Sequence, residues 1–584
     1  MLIWNEQKKQ KNKEEKKNMK ANKIIILTAI VVLATAFLGT TGMADQNWDP
    51  EFDDLGCTIV AVGKDATVNG TAMISHNDDS SSADYRLWII PAMDWPEGSM
   101  RDIVVGGHDY VDYTNWPDVD YGDKAFVMDQ TPQVEHTYAY FHSRYSFMNE
   151  MGVAMGESTF NVNTSMPLGE EKRRIMRDES TGLVDCWLAQ DIALERATTA
   201  REAVRIMGDL IEEFQWIDQG GETINITDGD EVWIMEAYGL DIWCAVRIPN
   251  DHFFVAANRA RIRDVDLDDE ENVMHSPNLV SFAIDQGWYD PDSGEPFSPA
   301  DVYAPDNGLY ASRREWRALK LVAPSLDIHP DDEYFPFSVK PEKKLSVHDI
   351  FKIKGDYYKG TDYDISTGPA AGPFGDPLKY PNTPGHNERA INIMRTCYVH
   401  IGEVDPNLPA PFKGISWYGY GAPDTSYITP LWPIMTELPE GYQIGSRYED
   451  FDRDSYWWTN TYVQEMTQFK YNEAIEELYK FRDPKLESLY KMTPIIQKAA
   501  AELYETDQEA AIQMITDYAY SNAMRWHQDW LALGDRFFSD YWTLNTRTTP
   551  EWFDKVSALW AAENMPKIGR RDGEPTLDEL PVCQ

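Results

Sequence analysis

The chain has 584 residues, of which 42% are hydrophobic and 12% aromatic, and this content excludes a disordered protein. Its length exceeds the ~100 to 200 residues of a usual domain, so one large elaborated domain or several smaller ones are expected. The formal net charge of −44 repels phosphate backbones and argues against nucleic-acid binding.

The amino terminus has the pattern of an export signal. Residues 24–43 carry no charge and follow a Lys-rich stretch, and the small residues Gly42 and Ala44 fit cleavage after Ala44. We therefore predict a signal peptide with an extended n-region at 1–44 and a short propeptide or linker at 45–56. The mature protein is then exported, to the periplasm or the extracellular space, with no stable membrane partner.

Two alternatives concern this same segment. A retained membrane anchor is the rival of the signal peptide, because the apolar run approaches the ~20 residues that span a bilayer. Met19 is an alternative start, which gives a signal of ordinary length.

The first folded segments are predicted to be mainly β. Residues 57–79 contain two apolar, β-branched runs around a Gly and Asn turn region, which predicts a β-hairpin that begins at Cys57. Residues 191–214 place apolar side chains at helical spacing and predict one amphipathic helix. Three β-rich runs follow, at 231–239, 242–249 and 252–262, and they predict a meander.

The second half of the chain is predicted to pass from loops to helices. Residues 285–455 are rich in Pro, Gly and Asp and predict long ordered loops. Beyond about 460, Ala, Glu, Leu and Lys at helical spacing predict a carboxy-terminal helical extension over 461–584, after a main domain at 57–460. Strands and helices interleave without a βαβ repeat, so the fold class is α+β.

The cysteines do not form a disulfide scaffold. There are five in the chain, without close spacing, so at least one thiol is free. Cys186 and Cys244 lie in apolar segments and are predicted to be small buried hydrophobes. Cys57 stands in a different context, at the start of the first strand.

Familiar cofactor and metal motifs are absent from the sequence. No Walker loop, dinucleotide-binding glycine motif, zinc-protease helix or paired C-x-x-C occurs. Asp264, Asp266 and Asp268 resemble the first ligands of a calcium loop, but Asp269 stands where the loop requires Gly and His275 where it requires Glu. No metal and no organic cofactor is predicted.

Cys57 is the candidate nucleophile. Cleavage of the Gly56–Cys57 bond would place an α-amine, with a pKa near ~8, beside a thiol with a pKa near ~8.5, so that one residue supplies both base and nucleophile. A buried cysteine at a strand start is the ordinary alternative. A lipoprotein cysteine is another, although the acidic residues 45–54 argue against it.

The block CTIVAVGKDATVNGTAMISHNDDSSSADYR, at residues 57–86, resembles the amino-terminal block of the dipeptidase and secernin family of cysteine peptidases, peptidase family C69. That family belongs to the N-terminal nucleophile hydrolases. The resemblance covers roughly residues 57–435, and its further blocks follow in the family's order at 149–159, 193–214, 231–239, 357–377, 395–404 and 415–432.

The resemblance implies a four-layer αββα sandwich with the nucleophile at the start of an inner strand, together with long loop insertions. It also implies that Cys57, exposed by processing, attacks the amide carbonyl of small peptides and forms a thioester that water hydrolyses. The function predicted from it is an exported dipeptidase of broad specificity.

The resemblance also implies roles for four further residues. Asp79 would orient the new α-amine, and Asn258, at a strand end, would donate to the oxyanion. His76 stands where related acylases have an Arg; it can donate a hydrogen bond, but a positive charge there is not guaranteed. Arg395 resembles the Arg that closes these sites.

Each of these four residues has a plainer alternative. His76 and Asp79 could be turn residues, Asn258 a strand cap and Arg395 part of a salt bridge elsewhere. Outside the main set, Thr159 could lie beside a second oxyanion donor, and Glu157 and Asn77 could meet the substrate amine.

Two other functions stay open at this point. One is an acylase that cleaves an N-acyl amide on the same fold. The other is a secreted binding protein on a degenerate hydrolase fold. This alternative stays open because His76 stands where related acylases have an Arg. Substrate side-chain preference and a homo-oligomeric state also stay open.

Overall fold

The computed structural model describes residues 56–542 apart from residues 81–82, 108, 219, 307 and 380–388. The predicted signal peptide, the predicted propeptide up to residue 55, and Cys583 lie outside the described residues. Among the helices of the described ranges, none is long and apolar enough to cross a bilayer.

The strands of the described part form two large sheets and two short hairpins. In chain order they are β1 Cys57–Val62, β2 Ala72–Asp78, β3 Trp88–Ile90, β4 Met93–Asp94, β5 Met100–Gly106, β6 Ala125–Pro132, β7 His136–Thr137, β8 Tyr140–His142, β9 Met148–Asn149, β10 Ala154–Phe160, β11 Gly221–Thr227, β12 Val232–Gly239, β13 Ile242–Arg247, β14 Phe253–Ala256, β15 Val273–His275, β16 Ser338–Val339, β17 Tyr398–Val404, β18 Gly414–Tyr420 and β19 Thr429–Leu431.

The α-helices connect the strands and form the carboxy-terminal region. They are α1 Gly169–Arg173, α2 Cys186–Arg196, α3 Ala200–Phe214, α4 Leu279–Asp285, α5 Pro299–Tyr303, α6 Leu309–Val322, α7 Val347–Lys354, α8 Ala410–Lys413, α9 Tyr456–Gln468, α10 Tyr471–Tyr504 and α11 Gln508–Tyr541. Shorter helical turns lie at Lys64–Ala66, Arg174–Asp178, Pro291–Ser293, Pro369–Phe374, Pro377–Lys379, Pro423–Thr425 and Glu440–Tyr442.

The first large sheet contains the predicted hairpin. Its antiparallel strands lie in the order β16–β14–β1–β2–β17–β18–β19. β1 and β2 pair from Cys57 opposite Asp78 to Val62 opposite Met73, which confirms the hairpin. Every residue of β1 is buried. A strand that is covered on both faces is apolar along its length, whereas a half-exposed strand alternates with polar residues. The CTIVAV sequence of β1 follows the first pattern.

The second large sheet corrects the predicted meander. Its antiparallel strands lie in the order β15–β13–β12–β11–β10–β9–β8–β3, so β12 and β13 are neighbours as expected. The third predicted strand, β14, instead crosses to the first sheet and pairs with β1 and β16. The partner of a strand is selected by side chains distant in sequence, and a local alternating pattern carries no information about it.

The two large sheets pack against each other and carry helices. β1 and β2 of the first sheet contact β10 and β11 of the second. Helices α6 and α7 contact the first sheet, while α2 and α3 contact strands of the second. The mixture of helices with antiparallel sheets confirms the α+β class.

The helix predicted over 191–214 is two helices, α2 and α3. The break lies at residues 197–199, where the Thr199 hydroxyl accepts the Glu202 backbone N–H at 3.1 Å and caps α3. Gly208, inside α3, costs about 1 kcal/mol relative to Ala. A Cβ at this position would lie 2.4 Å from the Trp243 ring, so the glycine permits close packing of α3 on the sheet.

The carboxy-terminal helical region is confirmed over the residues described. α9, α10 and α11 pack together, and α9 and α11 also contact β18 and β19 of the first sheet. Within residues 285–455, the predicted loops are interrupted by α6, α7, β17 and β18. The boundary proposed at residue 460 falls inside α9 and stays a prediction.

The described cysteines are free thiols in the interior. Cys57, Cys186, Cys244 and Cys397 are buried and unpaired with one another. The prediction that Cys186 and Cys244 are small buried hydrophobes is therefore confirmed.

Candidate active site

Cys57 begins β1 and is hydrogen bonded through both its backbone and its side chain. Its N–H donates to Asn258 Oδ1 at 3.1 Å, and its thiol donates to Glu157 Oε1, with an Sγ to oxygen distance of 3.0 Å. Burial raises the pKa of the Cys57 thiol well above its ordinary value, and the carboxylates of Glu157 and Asp78 raise it further. In the uncut chain the thiol is therefore protonated at neutral pH.

His76 reaches the nucleophile through Glu157. His76 lies on β2 and Glu157 on the facing strand β10; their Nε2 and Oε1 atoms are 2.9 Å apart and both side chains are fully buried. Burial alone would raise the pKa of Glu157, but attraction to His76 brings it down to about 2. Burial raises the pKa of the adjacent Glu222 well above its ordinary range, and the charge on Glu157 raises it further. Glu157 is therefore ionised at neutral pH.

Asp79 follows β2 and contacts the residue before the nucleophile. Its backbone N–H donates to the Gly56 carbonyl oxygen at 2.8 Å. Its carboxylate is held by Arg389 Nη1 at 2.8 Å, by the Thr396 hydroxyl at 2.6 Å and by Asn77 Nδ2 at 3.2 Å. The carboxylate is thus fixed next to the Gly56–Cys57 bond.

Arg395 contacts the backbone of Asp79 and not its carboxylate. Its Nε donates to the Asp79 carbonyl oxygen at 3.0 Å, and its Nη2 lies 3.4 Å from the Tyr310 hydroxyl. The ion pair with the Asp79 carboxylate is made by Arg389, which the sequence interpretation did not identify. Arg389 has no motif around it that would have indicated this role.

Asn258 lies in a backbone conformation that few residues adopt. Its φ is +62°, in the left-handed region where Asn is among the better tolerated residues. Its Nδ2 donates to the Thr159 carbonyl at 2.7 Å and its N–H to the Ser158 hydroxyl at 2.9 Å. The strand-end amide is thereby held against Cys57.

Arg314, on α6, joins the nucleophile to Asn258. Its Nη1 donates to the Cys57 carbonyl at 2.7 Å and to the Thr58 hydroxyl at 2.9 Å, and its Nη2 donates to the Ala257 carbonyl at 2.9 Å and to Asn258 Oδ1 at 2.8 Å. Burial, followed by repulsion from Arg389, lowers the pKa of Arg314 to about 10, so it stays charged at neutral pH. The sequence interpretation did not identify Arg314 either.

The five predicted site residues are thus brought together around the Gly56–Cys57 bond. Asn258 contacts Cys57 directly, His76 contacts it through Glu157, and Asp79 and Arg395 lie on the Gly56 side. Their individual roles stay predictions.

One donor set here could also hold a metal ion. The ligand atoms of Cys57, His76 and Glu157 all lie within 4.8 Å of one another. Thiolate, imidazole and carboxylate together suit zinc. The prediction of a metal-free enzyme stays a prediction.

Lys354, on α7, contacts β1, the strand that begins at Cys57. Its Nζ donates to the Thr58 carbonyl, and its side chain is fully buried. Burial lowers the pKa of Lys354 from 10.5 to about 7. Between these two values the unfolded chain binds a proton that the folded protein does not, so this group makes stability rise with pH over that interval.

Replacing Lys354 by Met should remove this dependence. We expect the variant to have a higher free energy of unfolding near pH 7, since Met fills a similar volume without the cost of a buried ammonium group. We also expect its stability to rise less than that of the wild type from pH 7 to 10.5. Urea unfolding across this range measures both, with the exposed Lys352→Met variant on the same helix as control. Parallel pH profiles for wild type and Lys354→Met would contradict the assignment.

The comparisons with known proteins identify the family of the chain. The sequence model of peptidase family C69 matches residues 56–483, beginning one residue before Cys57. The chain belongs to peptidase family C69. As a C69 member it is a peptidase.

Several relatives of the C69 peptidase are dipeptidases by name. A probable dipeptidase of Salmonella dublin is 28% identical over 406 residues, which cover 67% of this chain and 84% of the relative. A probable dipeptidase of Latilactobacillus sakei is 27% identical, over 66% of this chain and 76% of the relative. Dipeptidase A of Lactobacillus helveticus is 24% identical, over 80% of this chain and 94% of the relative.

Proposed function

We propose that this C69 peptidase is an exported dipeptidase that hydrolyses small peptides through Cys57 as an amino-terminal nucleophile. The observation that carries the proposal is the setting of Cys57, which begins an inner strand with Asn258 on its nitrogen and Glu157 on its sulfur. The names of the relatives support the substrate class. Two facing sheets that carry helices support the finer assignment of a four-layer αββα N-terminal nucleophile sandwich.

Maturation is the first step of the proposed mechanism. Sγ attacks the Gly56 carbonyl carbon, the Cys57 nitrogen leaves with the thiol proton, and water hydrolyses the resulting thioester to release the chain that ends at Gly56. The Asp79 N–H, 2.8 Å from the Gly56 oxygen, is a donor at the atom where negative charge develops. A Cβ on Gly56 would lie 2.4 Å from the Tyr310 hydroxyl, so the site fits glycine at this position.

Peptide hydrolysis then uses the new α-amine of Cys57. The amine takes the thiol proton, Sγ attacks the substrate carbonyl, and the leaving amine departs with that proton. Water next attacks the thioester with the amine as base, and the acyl product leaves. Asn258, held by Arg314 and by the Thr159 carbonyl, lies where it can donate its second Nδ2 hydrogen to the oxyanion.

Export precedes these steps in the proposal. The uncharged residues 24–43, after a Lys-rich stretch, support a signal peptide removed after Ala44. Residues 45–56 would then be removed in a second cleavage.

The amino-terminal sequence of the protein purified from its native host tests the proposal. We expect a chain that begins at Cys57 and that hydrolyses dipeptides in a panel with varied side chains. Acylated amines assayed beside the panel separate a dipeptidase from an acylase. A chain that begins at Asp45 and cleaves no amide would overturn the proposal in favour of a binding protein.

A further inference from the structure

Two acidic side chains, Glu157 and Asp78, act on the thiol of Cys57, and the carboxyl group of Glu222 is adjacent to that of Glu157. Glu157 lies on β10 and Glu222 on β11, and the register of these strands pairs Thr159 with Glu222, so both glutamates are on the same face. On the opposite sheet, Asp78 of β2 pairs directly with Cys57. All three carboxyl groups are at most 2% exposed.

These carboxyl groups lack enough basic partners. In the part of the chain that the structure describes, no lysine or arginine lies within ion-pair distance of any of the three, and His76 alone pairs with Glu157. Glu222 Oε2 and Asp78 Oδ2 are buried and accept no hydrogen bond from a described residue. Buried carboxyl oxygens without donors are costly, so a ligand that brings N–H groups and positive charge would be bound strongly here.

The neighbouring arginines are committed to other groups. Arg389 is paired with Asp79, Arg395 with the Asp79 carbonyl, and Arg314 with the Cys57 carbonyl and Asn258. They contact the backbone around Gly56 and Cys57, whereas Glu157 and Asp78 act on the thiol, and the charges of Arg144 and Arg447 offset part of the charge of Asp78. The space at the sulfur atom is therefore acidic.

The position of a substrate follows from bond lengths. In a peptide, the α-nitrogen lies about 2.5 Å from the carbonyl carbon of the same residue. The attacking sulfur approaches that carbon to about 3 to 3.5 Å, so the nitrogen comes within about 6 Å of Sγ. Glu157 Oε1 is 3.0 Å from Sγ, which places its carboxylate within reach of the nitrogen.

We propose that Glu157 and Glu222, with Asp78 beside them, bind the free α-ammonium group of the substrate's amino-terminal residue. This inference rests on the proposed function and adds the feature of the substrate that the enzyme selects. An ammonium group supplies the donors that the buried oxygens lack, and an acylated nitrogen carries neither the charge nor three hydrogens. The site therefore selects free peptide amino termini and disfavours N-acyl amides.

The test compares Glu222→Gln, which leaves the contact between Glu157 and the thiol in place, with wild type on two substrates, alanyl-alanine and its desamino analogue propionyl-alanine, which differ only in the ammonium group. Enzyme whose amino terminus is verified as Cys57 is used throughout. Loss of a charge-assisted hydrogen bond should lower kcat/KM for alanyl-alanine by about 10- to 100-fold. The value for propionyl-alanine should fall by less than about 3-fold, so the wild-type preference nearly disappears. Glu213→Gln, an exposed change on α3, is the matched control.

Glu157→Gln is the second variant, and it also removes the partner of the thiol. It should lower kcat/KM for both substrates, and by about a further 10-fold for alanyl-alanine.

Each contrary outcome has its own meaning. Equal losses on both substrates would show that the glutamates serve the thiol and would overturn the ammonium site. A wild-type enzyme that cleaves both substrates equally well would also overturn it. Wild-type inactivity on every dipeptide of the panel overturns the proposed dipeptidase function instead.

Discussion

Replacing Cys57 by Ala is expected to reduce dipeptide hydrolysis by about 10⁴-fold or more and to leave residues 45–56 attached. Both effects have one cause, since the same sulfur is proposed to cleave the Gly56–Cys57 bond and to attack the substrate. A kinetic assay on a dipeptide and amino-terminal sequencing of the same preparation measure them together. The folded state should persist, because the substitution removes only the thiol, which makes a single hydrogen bond.

A second buried cysteine provides the control for this experiment. Cys244, on β13, is as buried as Cys57 but belongs to a separate apolar cluster beside Phe160 and Tyr238. Cys244→Ala should mature and retain near-normal kcat/KM. A Cys57→Ala variant with full activity would exclude the nucleophile role, and a processed but inactive one would assign maturation to another protease.

The sequence carried enough information for much of the fold. The hairpin from Cys57 to Asp78 was predictable because both strands are continuous apolar runs around a turn. The carboxy-terminal helices were predictable from helical spacing. The break at Thr199 was not distinguished from a continuous helix, although Thr199 and Glu202 form a recognisable cap pair. The crossing of β14 to the first sheet had no local signal at all.

The candidate site was indicated mainly by the resemblance to the family. Cys57 could be singled out by its place at the first strand and by thiol and amine chemistry, whereas the roles of His76, Asp79 and Asn258 were implied by the resemblance and stay predictions. Arg314 comes from a helix 257 residues further along the chain than Cys57. Its spacing and composition look like those of any charged residue on a helix, so only the fold reveals it.

Arg314 is expected to be the positioning residue on which the active geometry depends. Its guanidinium holds the Cys57 carbonyl and the Asn258 side-chain oxygen at once, and so fixes the nucleophile relative to the proposed oxyanion donor. No other described side chain bridges these two groups. A neutral side chain would leave several buried oxygen atoms without a donor.

Arg314→Leu should therefore lower stability by about 3 to 5 kcal/mol and kcat by about 100-fold, with a smaller change in KM. The loss in kcat should persist at temperatures where the variant is fully folded, which separates misplacement of the active-site groups from unfolding.

Arg313→Leu, next to it on α6, removes an arginine that pairs with Asp331 and not with the nucleophile strand, and should keep kcat. Arg314→Lys should recover stability but only part of kcat, because one ammonium group cannot donate to both Cys57 and Asn258 in the fixed geometry of the guanidinium. Normal kcat in folded Arg314→Leu would show that strand packing alone positions the nucleophile.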